Sequence, residues 1–387
     1  MTVTPAPIGP QVSRATRVHL VYPHGSSTST PDAIGRELGR RLEARYEVIY
    51  HNWSDRGVIV PEPGDVLLGH PHPHPKSVFR RSLEQAGWWR RLMLGPFHHG
   101  DLRQNAFVDS ILPDCDMFLA ITGPHWVNTL DKSLCSHWRP KLIPLEHAVD
   151  RSDFPPVKTS FNEPGGRRVL YIGHSGRGKG TDYLAKIAAL IPEAEFGWAG
   201  TGGRIPGLTA FGYTDFRSQA GKELVSQFDF LMMCGNADAN PTTILEAMAW
   251  GLIPICTPTC GYEGIPGITN VPNGEATAAA AIVRGLLTAE QPDLIALQAA
   301  NWRLLDGHYN WDRFAADVTR AIESTESPTL LPESRKRRLT FLFYDITSPY
   351  GRLAYGWPGR LAARLRRRSE RLRARLVAWL PHVRTRT

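Results

Sequence analysis

Asp238-Ala-Asn-Pro-Thr-Thr-Ile-Leu-Glu246-Ala-Met-Ala-Trp-Gly251-Leu-Ile-Pro-Ile255 reads as a loop, a short helix and a buried strand. Asn240 is placed to cap the helix, and Pro241 suits its first turn. Thr242, Thr243 and Ile244 then offer backbone N–H groups without intrahelical acceptors, which makes an anion site. Two acids bracket that site, Asp238 before the helix and Glu246 along it. Glu246 lies roughly 9 Å along the axis from the cap at helical rise. That separation suits one ligand with phosphate at the helix start and ribose hydroxyls beside Glu246. A Glu on a helix is ordinarily a solvated surface acid. Here its neighbours are Leu245, Ala247, Met248 and Ala249, so the acid is set in an apolar helix. Gly251 ends the helix and Pro254 keeps it from resuming.

Around this segment the second half of the chain alternates strand and helix patterns. Strands are expected at Arg168–Gly173, Glu195–Gly200, Leu208–Tyr213, Phe228–Cys234 and Leu252–Cys256. Helices fall between them near Thr181–Leu190, Ser218–Val225, Pro241–Trp250 and Glu275–Leu287. Apolar strands in βαβ alternation give a parallel, doubly wound sheet, whose ligands sit at the carboxyl ends of the strands. The first half alternates too, with strands at Arg17–Pro23, Tyr46–His51, Asp65–Gly69, Leu92–Phe97, Met117–Thr122 and Lys141–Leu145 and a helix at Pro31–Ala44. Glu146–Gly166 lacks periodicity and reads as an interdomain linker. The expected organisation is a first domain over 1–150, a linker over 151–166, a second domain over 167–325 and a tail over 326–387.

At 387 residues and 42% hydrophobic, the chain is too long for one ordinary core. The five cysteines form no CxxC pair, which argues for reduced thiols and against a zinc site. No apolar leader and no long apolar run is visible, so a cytoplasmic protein without a membrane span is expected. The net charge of +8 is a tail property: residues 331–387 hold 15 Lys/Arg against 3 Asp/Glu, leaving 30 basic and 34 acidic residues elsewhere. Nucleic-acid binding therefore does not follow from the global charge.

Gly173-His-Ser-Gly-Arg-Gly-Lys179-Gly180-Thr181 follows a strand and opens a helix. It nearly matches the P-loop pattern, but Gly180 stands where a hydroxyl would hold magnesium. A magnesium-dependent NTPase and a purely structural glycine turn compete with a diphosphate site built from Lys179, Arg177 and backbone amides.

The segments YIGHSGRGKGTDYL, FGWAGTGG, FDFLMMCGNADANPTTILEAMAWGLIPI and YNWDRFAADV resemble, in that order, the retaining glycosyltransferases of family 4, or group 1. The likeness covers roughly 168–322, and the first half matches in outline. It implies the GT-B fold: two Rossmann-like domains facing a cleft, here with a basic helical tail. It also implies hexosyl transfer from a nucleotide-diphosphate sugar to an acceptor hydroxyl, with retention and no required cofactor. A non-catalytic nucleotide-sugar binder and a nucleotide-sugar epimerase are the related alternatives.

The resemblance assigns roles residue by residue. Glu246 matches the second of two family glutamates and would bind ribose. The first is replaced by Asp238, one methylene shorter, which would meet the donor sugar. Lys179 matches a lysine that contacts the diphosphate. His174 stands after Gly173 where the family often has arginine, and Arg177 is a candidate replacement. Gly200 and Tyr213 would frame the nucleoside. A family histidine follows a central strand of the first domain; here His98 and His99 are candidates, His99 favoured. His70, His72 and His74 in GHPHPHP are a candidate metal cluster or a stiff acceptor-side loop. Trp88 and Trp89 suit sugar stacking or burial.

Arg360–Leu380 has Leu361, Leu365, Leu372, Leu376 and Leu380 at helical spacing among arginines. This is the pattern of a basic amphipathic helix. Residues 359–380 are accordingly a candidate contact with an anionic membrane surface, which would place the protein peripherally at the inner face of the plasma membrane. The acceptor would be a glycan or a lipid-linked glycan precursor.

Overall fold

The computed structural model describes residues 16–25, 29–176, 178–349, 351, 353–354 and 356. They form two parallel sheets of six strands each. The first sheet holds β1 (Arg17–Val21), β2 (Glu47–His51), β3 (Val66–Gly69), β4 (Arg90–Pro96), β5 (Met117–Ile121) and β6 (Leu142–Leu145). Its helices are α1 (Thr30–Leu42), α2 (Val78–Ser82), α3 (Leu102–Ile111) and α4 (Pro124–Asn128). The second sheet holds β7 (Arg168–Ile172), β8 (Glu195–Ala199), β9 (Thr209–Gly212), β10 (Phe230–Met233), β11 (Ile253–Cys256) and β12 (Thr269–Asn270). Its helices are α5 (Thr181–Ala189), α6 (Gln219–Ser226), α7 (Thr242–Trp250), α8 (Ala276–Thr288) and α9 (Gln291–Gly307). Two further helices follow, α10 (Trp311–Glu323) and α11 (Arg335–Thr347).

The strand orders are β2-β1-β3-β4-β5-β6 and β12-β11-β10-β7-β8-β9. In each, the first strand has its neighbours on opposite sides, which creates a switch-point crevice at the carboxyl ends. This is the GT-B architecture of two Rossmann-like units. The central strands β3, β5, β10 and β11 are buried at every residue, as expected for strands covered on both faces. β9 is the exception: it is an edge strand, exposed throughout, with an irregular register where Trp198 and Ala199 pair with Ala210 and Gly212.

Two late helices belong by packing to the first sheet. Trp311, Phe314, Val318 and Ile322 put one apolar face of α10 against Leu20, Leu92 and Leu119. On the other face of the sheet, Phe341 of α11 joins Phe107, Phe118 and Trp138. The sequence division at 325 follows chain order, whereas these side chains return to the unit where the chain began.

The segment between the sheets is packed rather than slack. Lys158 and Asp229 form a buried ion pair at 2.9 Å, and the amides of Val157 and Lys158 both donate to Trp250 O at 2.9 Å. Among the described residues no helix is long and apolar enough to cross a membrane. The five cysteines are buried and unpaired. The amphipathic stretch 360–380 lies outside the described residues.

Candidate functional site

The carboxyl ends of both sheets open on a shared cleft of about 430 Å³. The first unit lines it with Tyr22, Thr30, Trp53 and His70, the second with Gly173, Lys179, Asp238, Thr242 and Thr243. The starts of α1 and α7 meet across it, with Thr30 Oγ1 3.4 Å from Thr242 Oγ1. Both helices therefore direct their positive dipole ends toward the same space.

The cap of α7 differs from the sequence expectation. Pro241 is the N-cap residue and makes no side-chain capping bond. Asn240 is instead buried, and its Oδ1 accepts from the amide of His147 at 2.8 Å, tying the start of α7 to the interdomain crossing. Ile244 donates to Pro241 O at 3.2 Å. The amides available to an anion are thus those of Thr242 and Thr243, and the expected third is taken.

Asp238 is fixed at three points. Its amide donates to Thr259 O at 3.0 Å, and its carbonyl accepts from Trp126 Nε1, in the first unit, at 2.7 Å. Its carboxylate holds Lys179 Nζ at 2.5 Å. Lys179 is the sole lysine or arginine among the described residues lining the cleft. The carboxylate and the ammonium that the sequence singled out separately are thus paired with each other.

The glycine-rich turn is largely self-satisfied. The amide of Ser175 donates to Thr201 O at 3.0 Å, that of Gly176 to His174 Nδ1 at 3.0 Å, and that of Lys179 to Gly176 O at 3.3 Å. The amides of Ser175, Gly176 and Lys179 are thus already engaged, and the turn reaches the cleft through Gly173, His174 and the Lys179 side chain. Gly180 has φ 66°, and a Cβ there would lie 1.7 Å from Cys234 O. That contact explains why no hydroxyl residue completes the P-loop pattern. Arg177 lies outside the described residues.

Glu246 lies one turn into α7, half-buried. Removal from water raises its carboxyl from 4.5 to about 7, a shift opposed by the Thr242 hydrogen bond and the Arg217 charge. The native state prefers the protonated form, so this group's stabilisation is full below pH 4.5 and is lost as pH rises through 7. Glu246→Gln is expected to be more stable than wild type at pH 8, by up to about 3 kcal/mol, and to match it near pH 4.5. Urea unfolding at the two pH values measures this; an equal offset at both would remove the desolvation account.

The paired histidines diverge. His99 Nε2 sits 2.7 Å from Thr129 Oγ1, and its ring meets Trp126 edge-on at 4.9 Å. His98 has a buried Nδ1 with no hydrogen-bond partner. Burial lowers its pKa, while the charges of Asp238 and Asp101 act to raise it. His98, rather than the favoured His99, is thus within electrostatic reach of the Asp238–Lys179 pair.

Of the rest of the first-unit wall, sequence reasoning singled out His70, as part of the GHPHPHP run, and missed Tyr22, Trp53 and His147. Trp53 stacks edge-on to His70 at 4.7 Å, and Tyr22 meets the same ring at 5.6 Å. His147, at the interdomain crossing, lines the cleft with a buried Nε2 that has no partner. Burial drives His147 down to about 4 and His70 to about 3, so both are neutral imidazoles. The signal of His147 was weak because it stands alone on the interdomain crossing.

Gly200 packs against the Gly173 carbonyl, where a Cβ would come within 1.9 Å. Tyr213 is 78% exposed beyond β9. Neither lines the 430 Å³ cleft. Of the histidine run, His72 Nδ1 accepts from the amide of His74, and His74 Nδ1 from that of Lys76. No group of three or more His, Cys, Asp or Glu is gathered for a metal among the described residues. Trp88 and Trp89 are both structural: their indoles donate to Ser82 O and Ile322 O.

No protein-family model matches the chain, and no curated protein does. Solved structures do. Sucrose-phosphate synthase from Thermosynechococcus elongatus superposes with a TM-score of 0.58 at 16% identity, over 79% of this chain and 98% of that one. The catalytic domain of starch synthase IV from Arabidopsis thaliana, bound to ADP and acarbose, gives 0.58 at 11% identity, over 81% and 100%. A glycosyltransferase from Rickettsia africae ESF-5 gives 0.56 at 12% identity, over 81% and 100%. At such identities the likeness is one of fold: this chain shares the two-unit GT-B architecture over nearly the full length of each.

Proposed function

We propose that this chain is a glycosyltransferase that moves a hexose from a nucleotide-diphosphate sugar to an acceptor hydroxyl with retention. The observation that carries the proposal is the convergence of Lys179, Asp238 and the free amides of Thr242 and Thr243 in one interdomain cleft. In this scheme the second unit, nominally 167–325, binds the donor. Glu246 holds the ribose, Lys179 and the α7 amides hold the diphosphate, and Gly173, Gly200 and Tyr213 border the nucleoside. Arg177 is retained as a further diphosphate ligand from its place in the sequence. The first unit, nominally 1–150, presents the acceptor, a glycan or a lipid-linked precursor, against the Tyr22–Trp53–His70 wall.

Charge develops on the departing diphosphate, so the barrier falls most where preorganised cations and amides meet that charge. Donor binding would break the Lys179–Asp238 contact, moving Lys179 to phosphate and freeing Asp238 for sugar hydroxyls. The incoming hydroxyl approaches on the leaving-group face, and a diphosphate oxygen accepts its proton. No added cofactor is needed for these steps.

His98 replaces His99 as the first-unit contact to the donor sugar in this proposal. His98→Ala is expected to lower kcat/KM by on the order of 100-fold, and His99→Ala by only a fewfold. Initial rates for both variants at matched folding decide between them, and a larger effect at His99 would reverse the assignment. The function itself is tested by melting the full chain against a panel of nucleotide sugars, then assaying transfer and donor hydrolysis with the best ligand. Stabilisation without turnover would identify a non-catalytic nucleotide-sugar binder. Stabilisation by none of them would remove the proposal.

A further inference from the structure

Leu339, Leu342, Phe343 and Ile346 lie on the outer side of α11 with 56%, 39%, 61% and 39% of their surface exposed. The opposite side is docked: Phe341 and Asp345 are each 3% exposed against the first unit. At helical spacing, Arg335, Leu339, Leu342 and Ile346 fall in a band roughly 60° wide, with Phe343 at its edge. Lys336 lies beyond Phe343 on one side and Arg338 beyond Leu342 on the other. Exposed apolar residues on a water-facing surface are normally scattered singly. Here Leu339, Phe343 and Ile346 gather on the outer side of one short helix, while Leu330 and Leu342, though partly exposed, border a cavity shared with Phe341.

An apolar stripe with basic flanks matches a helix lying in the plane of a bilayer surface, its stripe among the acyl chains and its cations among anionic headgroups. The chain's own tail is a poor cover for it. Residues 348–387 carry 11 Lys/Arg against 1 Asp/Glu, and α11 itself 4 against 1, so tail and helix carry the same sign of charge and are attracted to the same negative surface. We infer that the outer face of α11 is a docking surface for an anionic lipid bilayer.

The placement bears on the cleft. Ser348, at the end of α11, donates through Oγ to Arg103 O at 2.8 Å, in the first turn of α3. That turn follows His98, His99, Gly100 and Asp101 directly. A bilayer held by α11 therefore lies on the side of the first unit that carries the His98–Asp101 loop, two residues past the cleft-lining Pro96. This docking does not rest on the transferase proposal, because it is read by lipid binding alone.

The test uses the full chain and sedimented vesicles of phosphatidylglycerol mixed with phosphatidylcholine, with pure phosphatidylcholine as comparison. Binding is expected to the anionic vesicles, with at least tenfold weaker binding to the neutral ones and loss at high salt. The triple variant Leu339→Glu, Phe343→Glu, Ile346→Glu is expected to bind anionic vesicles at least tenfold more weakly with an unchanged melting temperature. Should it fail to fold, Ile346→Cys labelled with an environment-sensitive fluorophore decides, since the native cysteines are all buried. Its emission should shift to the blue on anionic vesicles. Wild-type binding by the triple variant, or an unshifted label on bound vesicles, would overturn the inference and assign any binding to residues 357–387. Self-association through this face without vesicle binding, seen by light scattering, would overturn it in favour of a second copy as occupant.

Discussion

Lys179→Met is expected to lower kcat/KM for transfer from a nucleotide sugar by about 100- to 1,000-fold, or about 3–4 kcal/mol. It removes the sole lysine or arginine among the described residues lining the cleft, which in the proposed reaction is a counter-charge to the departing diphosphate. Most of the loss should appear in kcat, because the charge grows between ground and transition states. The variant also leaves Asp238 without its 2.5 Å partner, a second effect that must be separated. Asp238→Asn does so: it releases Lys179 while leaving the cation in place. If charge on the diphosphate dominates, the lysine variant is the slower of the two. Steady-state rates within a fewfold of wild type for Lys179→Met would end the assignment of this lysine to catalysis.

Gly180→Ser should be the most damaging small substitution in the second unit. It completes the P-loop pattern on paper, yet a Cβ at this position lies 1.7 Å from Cys234 O and at a φ of 66°. Left-handed backbone alone costs a non-glycine residue about 1–2 kcal/mol. Displacing the Cys234 carbonyl moves the end of β10, which carries the loop to Asp238, and brings the total to about 3 kcal/mol or more. A drop in melting temperature on the order of 10 °C is expected. No ATP hydrolysis should appear, because the amides of Ser175, Gly176 and Lys179 are already bonded within and beside the turn. A stable variant with magnesium-dependent ATP turnover would revive the NTPase alternative.

Sequence periodicity was sufficient for eleven of the twelve strands, because buried parallel strands such as Met117–Ile121 are unbroken apolar runs, and it missed β12, whose two residues Thr269 and Asn270 carry no apolar pattern. It was insufficient for α9. There the buried face alternates Leu294 and Leu305 with Gln298 and Asn301, so the apolar stripe is interrupted. Gln298 is buried because its amide serves Lys158 O and Gly251 O, acceptors far away in sequence. The same limit governs the cleft. Lys179, Asp238 and Thr242 follow from local pattern. His147, His70 and Trp53 come to the cleft only through tertiary packing. That Thr129 engages His99, while His98 Nδ1 is left buried without a partner, is a tertiary fact with no local sequence signal.

The return of α10 to the first sheet has a consequence for biosynthesis. Trp311, Phe314, Val318 and Ile322 complete a core begun by Val18 and Leu20. These side chains leave the ribosome only after every strand of the second sheet has been made. The second unit, contiguous in the chain, can thus finish folding while the older unit still exposes one face of its sheet. Although domains generally mature in order of synthesis, this topology inverts the order: a nascent chain that has emerged only as far as Tyr309 would carry the whole second-unit core beside an unfinished first.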